Sequence, residues 1–437
     1  MFKLNLIVIT LSLFTVFSPL GRATDWYVSQ TTGKGKKATK EAPAKDLGNI
    51  ISKLEPGDVV HIAEGIYLGR GKNGSNTINV PVSIIGGYDV AFSKRDPWGA
   101  HRTVFSGDNM TANYTADPAL FIDLMKYQGP ASAITVDGLI IDAGGRNHYA
   151  TDKQHKLIPK ANPKSGKNPS PSLGGLVVRV QKSGKFDDGP RWEINVRNNV
   201  VMNTFQNQAA LSVSGFKGSK ITIENNLVIQ HSGTGIYCGS KYAGSDQYPE
   251  FKVSNNTVLF SWDSGMSQGF NFGLDRFTNV ELRNNVMGFS DIVAINNASR
   301  SENILMVENL VTGARKADYL EFNMQMDVEN MVDEADLLHE DSDENVTDAI
   351  QIPVSREFAE LYGSRVIVDR EKAEADIAAS NSDANALRSM LGLPLQAGSV
   401  KWPQTPVFLN RISIEDAIAA GAKKYKGKYG CSMPVVK

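Results

Sequence analysis

His231, Tyr237 and Lys241 stand within one short stretch of the chain, and Trp262-Asp263 and Asp291 follow at comparable places in later stretches. An imidazole, a phenolate or an amine can each take a proton, and a pair of aspartates can hold a hard cation through oxygen. These are the parts of a β-elimination. A carboxylate must be neutralised so that the neighbouring C–H becomes acidic, a base must remove that proton, and an acid or water must protonate the leaving oxygen. His231, Lys241 and Tyr237 are the candidate bases, and Asp263 and Asp291 the candidate ligands, with Ca²⁺ the metal they would suit. Tyr242, Trp262, Ser267 and Asn296 would hold the substrate. Plain structural roles compete with each of these. A lone histidine near a corner is ordinarily a hydrogen-bonded turn residue, and a turn aspartate commonly caps its own backbone. Hydrolysis by paired carboxylates also stays open, since sequence does not fix the separation of Asp263 and Asp291.

The elements that must position these groups show in an internal repeat. Ile194–Val201, Ile221–Val228, Phe251–Val258, Val280–Met287 and Ile304–Val311 each read apolar, variable, apolar, variable, then an asparagine-containing corner, then apolar again. Their reference asparagines, Asn199, Asn226, Asn256, Asn285 and Asn309, are 27, 30, 29 and 24 residues apart. Period two means a strand with one buried face, and a single short strand cannot bury that face alone, so the copies must stack. Asparagine tolerates positive φ far better than a β-branched residue does, which suits a sharp corner. Coils of this length are too short for strand–helix–strand units, and propeller blades need about 40–45 residues.

The expected fold is therefore an all-β solenoid, a right-handed single-stranded parallel β-helix of about ten coils between Trp26 and Val311, on the order of 50 Å long. Residues 59–62, 82–87 and 134–141 look like earlier coils, with Gly138 replacing the asparagine pair. Asp46 with Leu47, Ile50, Ile51 and Leu54 predicts an N-terminal capping helix that Pro56-Gly57 stops. Beyond residue 315, helical spacing at 355–362, 369–379, 382–391 and 413–420 predicts an acidic linker and a mostly helical C-terminal cap spanning 316–437 that lies across or alongside the rod, with an independent helical domain as the alternative. Ten residues past each ladder asparagine, Ala209, Ile236, Met266 and Ile295 should point inward. Ala210, Tyr237, Ser267 and Asn296 should then face out.

Trp26-Tyr27-Val28-Ser29, Lys45–Ile50 and Leu54–Tyr67 together resemble the opening of secreted pectate-lyase-like β-helix proteins. Ile85-Gly86-Gly87-Tyr88 with Arg95-Asp96-Pro97 and Ser106-Gly107-Asp108 is similar to a coil in bacterial members of that group. The resemblance covers most of residues 25–311. It implies an extended polysaccharide lying along one outer sheet, as the group includes lyases, hydrolases, epimerases and adhesins. The Asn-Thr-Asp, His-Gly and Arg-Ile-Lys signatures of polygalacturonase-type hydrolases are missing, as are the metal and arginine motifs of pectate lyases. Two function classes follow: a lyase of acidic polysaccharide, and a non-catalytic glycan-binding or adhesin-like surface protein.

Composition narrows the field further. The chain has 437 residues, 41% hydrophobic and 21% charged, as globular proteins do. Lys+Arg 46 against Asp+Glu 47 leaves −1, so no global charge favours nucleic acid. Met1-Phe2-Lys3, the apolar run from Asn5 to Leu20 and Gly21-Arg22-Ala23 predict a signal peptide cleaved near Ala23, hence a secreted, periplasmic or cell-surface protein. No later segment is long and apolar enough to span a membrane. Export would permit a disulfide, but the cysteines are two, Cys238 and Cys431, and Cys238 falls on an inward position. A basic insertion at about 146–173 could draw an anionic polymer, or be a plain solvated loop. From Asp327 to Asp348 ten acidic residues occur without Lys or Arg, but Val346 and Ile352 stand where a calcium loop needs Gly and Glu.

Overall fold

The computed structural model describes residues 23–35, 37–68, 75–106, 118–143, 175–180, 191–204, 209–242, 244, 246–262, 269–290, 292–314, 316–348, 350 and 412–436. Within them the chain winds through three sheets of nine strands each. A first-sheet strand leads through an asparagine corner to the second sheet, then to the third, then to the next rung of the first. Glu193–Arg197, Val200–Thr204 and Ala209–Gly215 form one such coil, and Lys220–Glu224, Leu227–Ser232 and Thr234–Ser240 the next. Both pair rung on rung in parallel. Only the last strand of the third sheet, Met324–Met326, runs antiparallel to its partner there. This is a parallel β-helix, with nine strands per sheet where sequence counting gave about ten coils.

The alternation explains the core. Ile194, Ile221, Phe251, Val280 and Ile304 form one continuous register column, as do Val196, Ile223, Val253, Leu282 and Met306. All ten side chains are at most 3% exposed. Burying each aliphatic side chain contributes about 1.5–3 kcal/mol, and none of that is available to an unstacked strand.

Each asparagine of the pair has its own task at the corner. The first takes the left-handed conformation: φ is 54° at Asn198, 53° at Asn225, 54° at Asn255 and 55° at Asn284. The second turns inward and stacks. Asn226 Nδ2 donates to Asn256 Oδ1 at 3.0 Å and to the Val196 carbonyl at 2.9 Å, and the same pattern runs from Asn199 to Asn309. Asn345 adds a rung that the five aligned segments did not include, with Glu344 at φ 53°. Rungs therefore continue past 315: Ala317–Glu321 pairs with Val293–Asn297, and Val346–Thr347 with Leu310–Thr312.

The N-terminal cap differs from its sequence description. The N-terminal helix is a pair of 3₁₀ turns, Leu47–Asn49 and Ile51–Lys53, capped by Asp46 Oδ1 on the Gly48 N–H at 2.8 Å. The stretch before Pro56 is short, and the three-residue spacing of Leu47 and Ile50 suits three residues per turn; both are buried. At the other end, helix Ile414–Gly421 forms with Ser413 as its cap. It lies alongside the second sheet. There Ala417, Ala420, Tyr425, Tyr429 and Cys431 cover the outward apolar residues Leu227, Ile229, Leu259, Phe260, Val286 and Phe289. Outer asparagines fasten this strap. Asn225 exchanges two hydrogen bonds with Ser432, and Asn203 two with Ile412. The three other expected helices, the basic insertion at 146–173 and the leader up to residue 22 lie outside the described residues. Both cysteines are free and fully buried.

Candidate functional site

With the second sheet covered, the third offers the face on which the sequence candidates converge. Its outward row runs Phe121, Val177, Ser212, Tyr237, Gly273, Asn296 and Leu320, one residue per rung at about 4.8 Å. Tyr237 and Asn296 thus share the expected outward row, two rungs apart with Gly273 between them. Ala210 does not join them. It is fully buried, and with Leu211 rather than Ala209 in register with Ile236 it is Ser212 that takes the row in this coil. Turn lengths cause the slip: Ile236 and Ile295 stand ten residues after their ladder asparagines, Leu211 twelve and Phe272 sixteen. For the same reason residue 266 is not the inward partner of Ile236; Phe272 is.

The Tyr237 ring rests between two glycines. A Cβ on Gly239 would lie 2.8 Å from Tyr237 Cε1 and 2.7 Å from Ser214 Oγ, and one on Gly273 would lie 3.1 Å from Tyr237 Cδ2. Side chains at either place would lift the ring off the sheet. Its phenol hydrogen-bonds the carboxylate of Asp275, and burial first, then that negative charge and that bond, push the phenol pKa well above 10. Asp275 is itself fixed: Oδ2 accepts the Ser240 N–H at 3.0 Å and Oδ1 the Arg276 N–H at 2.8 Å. The phenol is accordingly held in its protonated form.

Lys241 follows directly, its backbone N–H tied to the Gly215 carbonyl at 2.8 Å and its side chain half-buried. Asn296 is also half-buried, with Oδ1 accepting the Ala298 N–H at 3.0 Å. These two join Tyr237 and Asp275 on the face, where Ser212 and the Arg179–Asp123 ion pair occupy earlier rungs. Asp275 is the member that sequence reasoning missed. It follows the end of the strand at Leu274, and only the register of Gly273 with Tyr237 reveals that it lies beside the ring.

The remaining candidates fall elsewhere. His231 is fully buried in the wall between the second and third sheets, in register with Thr204 and Ser261. Neither ring nitrogen has a partner of ordinary hydrogen-bond geometry, and burial lowers its pKa to about 3, opposed only by the Phe270 backbone. It is neutral and closed to a polymer. Tyr242 is a packing residue: 4% exposed, edge-on to Phe216 at 5.5 Å, with its phenol on Asp246. Asp263, Ser267 and Asp291 lie outside the described residues, as does the side chain of Trp262. Among the described residues no group of three metal-ligating side chains is gathered, and no helix is long and apolar enough to cross a membrane.

No family model and no curated protein matches the chain. Solved structures that it resembles include pectate lyase Pel9A, at 11% identity over 89% of this chain and 92% of that one, with a TM-score of 0.32. A rhamnogalacturonan lyase matches at 10% identity over 77% and 92%, with a TM-score of 0.26. The GH136 lacto-N-biosidase from Eubacterium ramulus matches at 10% over 70% and 68%, with a TM-score of 0.25. Likeness of this degree says nothing about activity.

Proposed function

We propose that the protein acts on an extended acidic polysaccharide laid along its third sheet, cleaving it by β-elimination. The observation that carries this reading is the Tyr237–Asp275 unit on an open row of rungs beside Lys241. A flat, half-buried ring among glycines suits stacking against a sugar, and a linear ladder suits a linear polymer, rung against residue. Of the candidate bases, His231 is buried and Tyr237 is held protonated, which leaves Lys241 to take the proton next to the uronate carboxylate. Tyr237 would then protonate the leaving glycosidic oxygen, Asp275 orienting its phenol. Asn296 would hydrogen-bond a sugar two rungs away. Ca²⁺ on Asp263 and Asp291 remains the proposal for neutralising the substrate carboxylate, and export by the leader the proposal for its address.

A second reading, a non-catalytic glycan binder, is favoured by the same phenol. A tyrosine locked to a carboxylate serves as a stacking platform without any proton transfer. The experiment follows the ultraviolet absorbance of unsaturated uronate during incubation with alginate, pectate and glycosaminoglycans, with and without Ca²⁺. A rise that Lys241→Ala abolishes supports the lyase. Retention on one of these polymers without a rise, lost in Tyr237→Ala, supports the binder, and neither result with any of them overturns both.

A further inference from the structure

A second concave place lies on the first sheet, towards its C-terminal end. It is a cavity of about 280 Å³ spanning three rungs of the outer face. One row of its floor is Glu250, Asn279 and Asn303, and the next is Lys252, Glu281 and Leu305. His339 forms a wall, fixed where its N–H donates to the Ile304 carbonyl at 2.8 Å. The volume is at the small end of the ~300–1,000 Å³ typical of small-molecule sites.

The lining is built before any ligand arrives. Arg283 Nε donates to Glu281 Oε1 at 3.0 Å and holds that carboxylate, and Asn303 Nδ2 donates to Asn279 Oδ1 at 2.9 Å. His339 Nδ1 lies 3.1 Å from the Asp341 backbone nitrogen and 3.5 Å from Asp341 Oδ2, contacts that hold the ring in place. Carboxylate and amide acceptors thus alternate with amine and amide donors at rung spacing, while Leu305 supplies an apolar patch.

That pattern matches one ligand chemistry. A sugar ring presents neighbouring hydroxyls, each both donor and acceptor, and a C–H face that packs on apolar surface. Glu250 and Glu281 are matched by Lys252 and by Arg283 on Glu281, so the lining carries no net positive charge to draw a polyanion. We propose that this cavity is a binding site for a neutral saccharide, separate from the third-sheet face. It does not depend on what the third sheet does.

Affinity electrophoresis of the full chain through gels containing galactomannan, xyloglucan or mixed-linkage β-glucan tests it. Retardation in at least one gel is expected, weakened tenfold or more by Glu250→Ala combined with Leu305→Gln. Asn303→Trp, which fills the cavity without removing a charge, should do the same from an exposed position that the fold tolerates. Thermal unfolding of each variant confirms that it is folded, and Tyr237→Ala should remain retarded. Free migration in all three gels, wild-type retardation of Asn303→Trp, or loss of retardation in Tyr237→Ala overturns the site.

Discussion

Asn256 gives its side-chain oxygen twice to Asn226, once to the backbone N–H at 2.9 Å and once to Nδ2 at 3.0 Å. It also donates its own Nδ2 to the Ile223 carbonyl at 2.9 Å and to Asn285 Oδ1 at 3.0 Å. Each ladder asparagine is therefore acceptor for the coil before it and donor to the coil after it, with no water needed.

Asn256→Ala should cost on the order of 3 kcal/mol or more, because it leaves two buried donors on Asn226 and the Ile223 carbonyl short of a partner. Urea unfolding followed by circular dichroism gives the number. A loss below about 1 kcal/mol would mean that the ladder is decoration on a fold held by its apolar columns.

His231 makes stability depend on acid. Its folded-state pKa of about 3 lies below the ordinary 6.5, so as pH falls the unfolded chain takes up the proton first. The contribution is complete above pH 6.5 and is lost progressively towards pH 3. The span corresponds to roughly 4–5 kcal/mol. Urea midpoints from pH 7 down to pH 4 should fall for the wild type, and fall less steeply for His231→Gln.

Asp275 keeps the Tyr237 phenol protonated through charge and hydrogen bond. Asp275→Asn should bring the phenol pKa down, leaving only the part due to burial. Ultraviolet difference titration of tyrosine, compared with Tyr237→Phe to identify the signal, measures it. An unchanged titration would show that the two groups are not coupled.

The strap predicts an order of thiol exposure. Burial pushes the Cys431 thiol up to about 12 and Cys238 higher still, so both should be silent towards a thiol reagent in the native protein. Ala417→Asp puts a charge between helix and second sheet, at a fully buried position. Cys431 should then react while Cys238, inside the coils, stays protected. Equal reactivity of both would mean that strap and rod unfold as one.

The coiling was legible because it repeats. Apolar residues at period two and an asparagine at each corner state the same local rule five times, and a sheet that buries one face has one way to satisfy all five copies. The outward row of the third sheet was half legible. Tyr237 and Asn296 were placed correctly from coils with short turns, whereas Ala210 was not. The turns between the second and third sheets differ by two and six residues from the ten-residue case, so a fixed count from the asparagine lands short of the strand's registered positions.

What the tertiary structure alone decided was whom each side chain meets. Sequence gave His231 the chemistry of a base, and only stacking reveals that it faces the wall between two sheets without a partner. The helix at 413–420 was expected across or alongside the rod, but neither the second sheet as its partner nor Cys431 beside it was legible, since no local pattern encodes those contacts. Asp275 reaches Tyr237 across a rung, more than thirty residues on. Periodicity fixes which face a residue is on, while distances between faces depend on how many residues each turn spends.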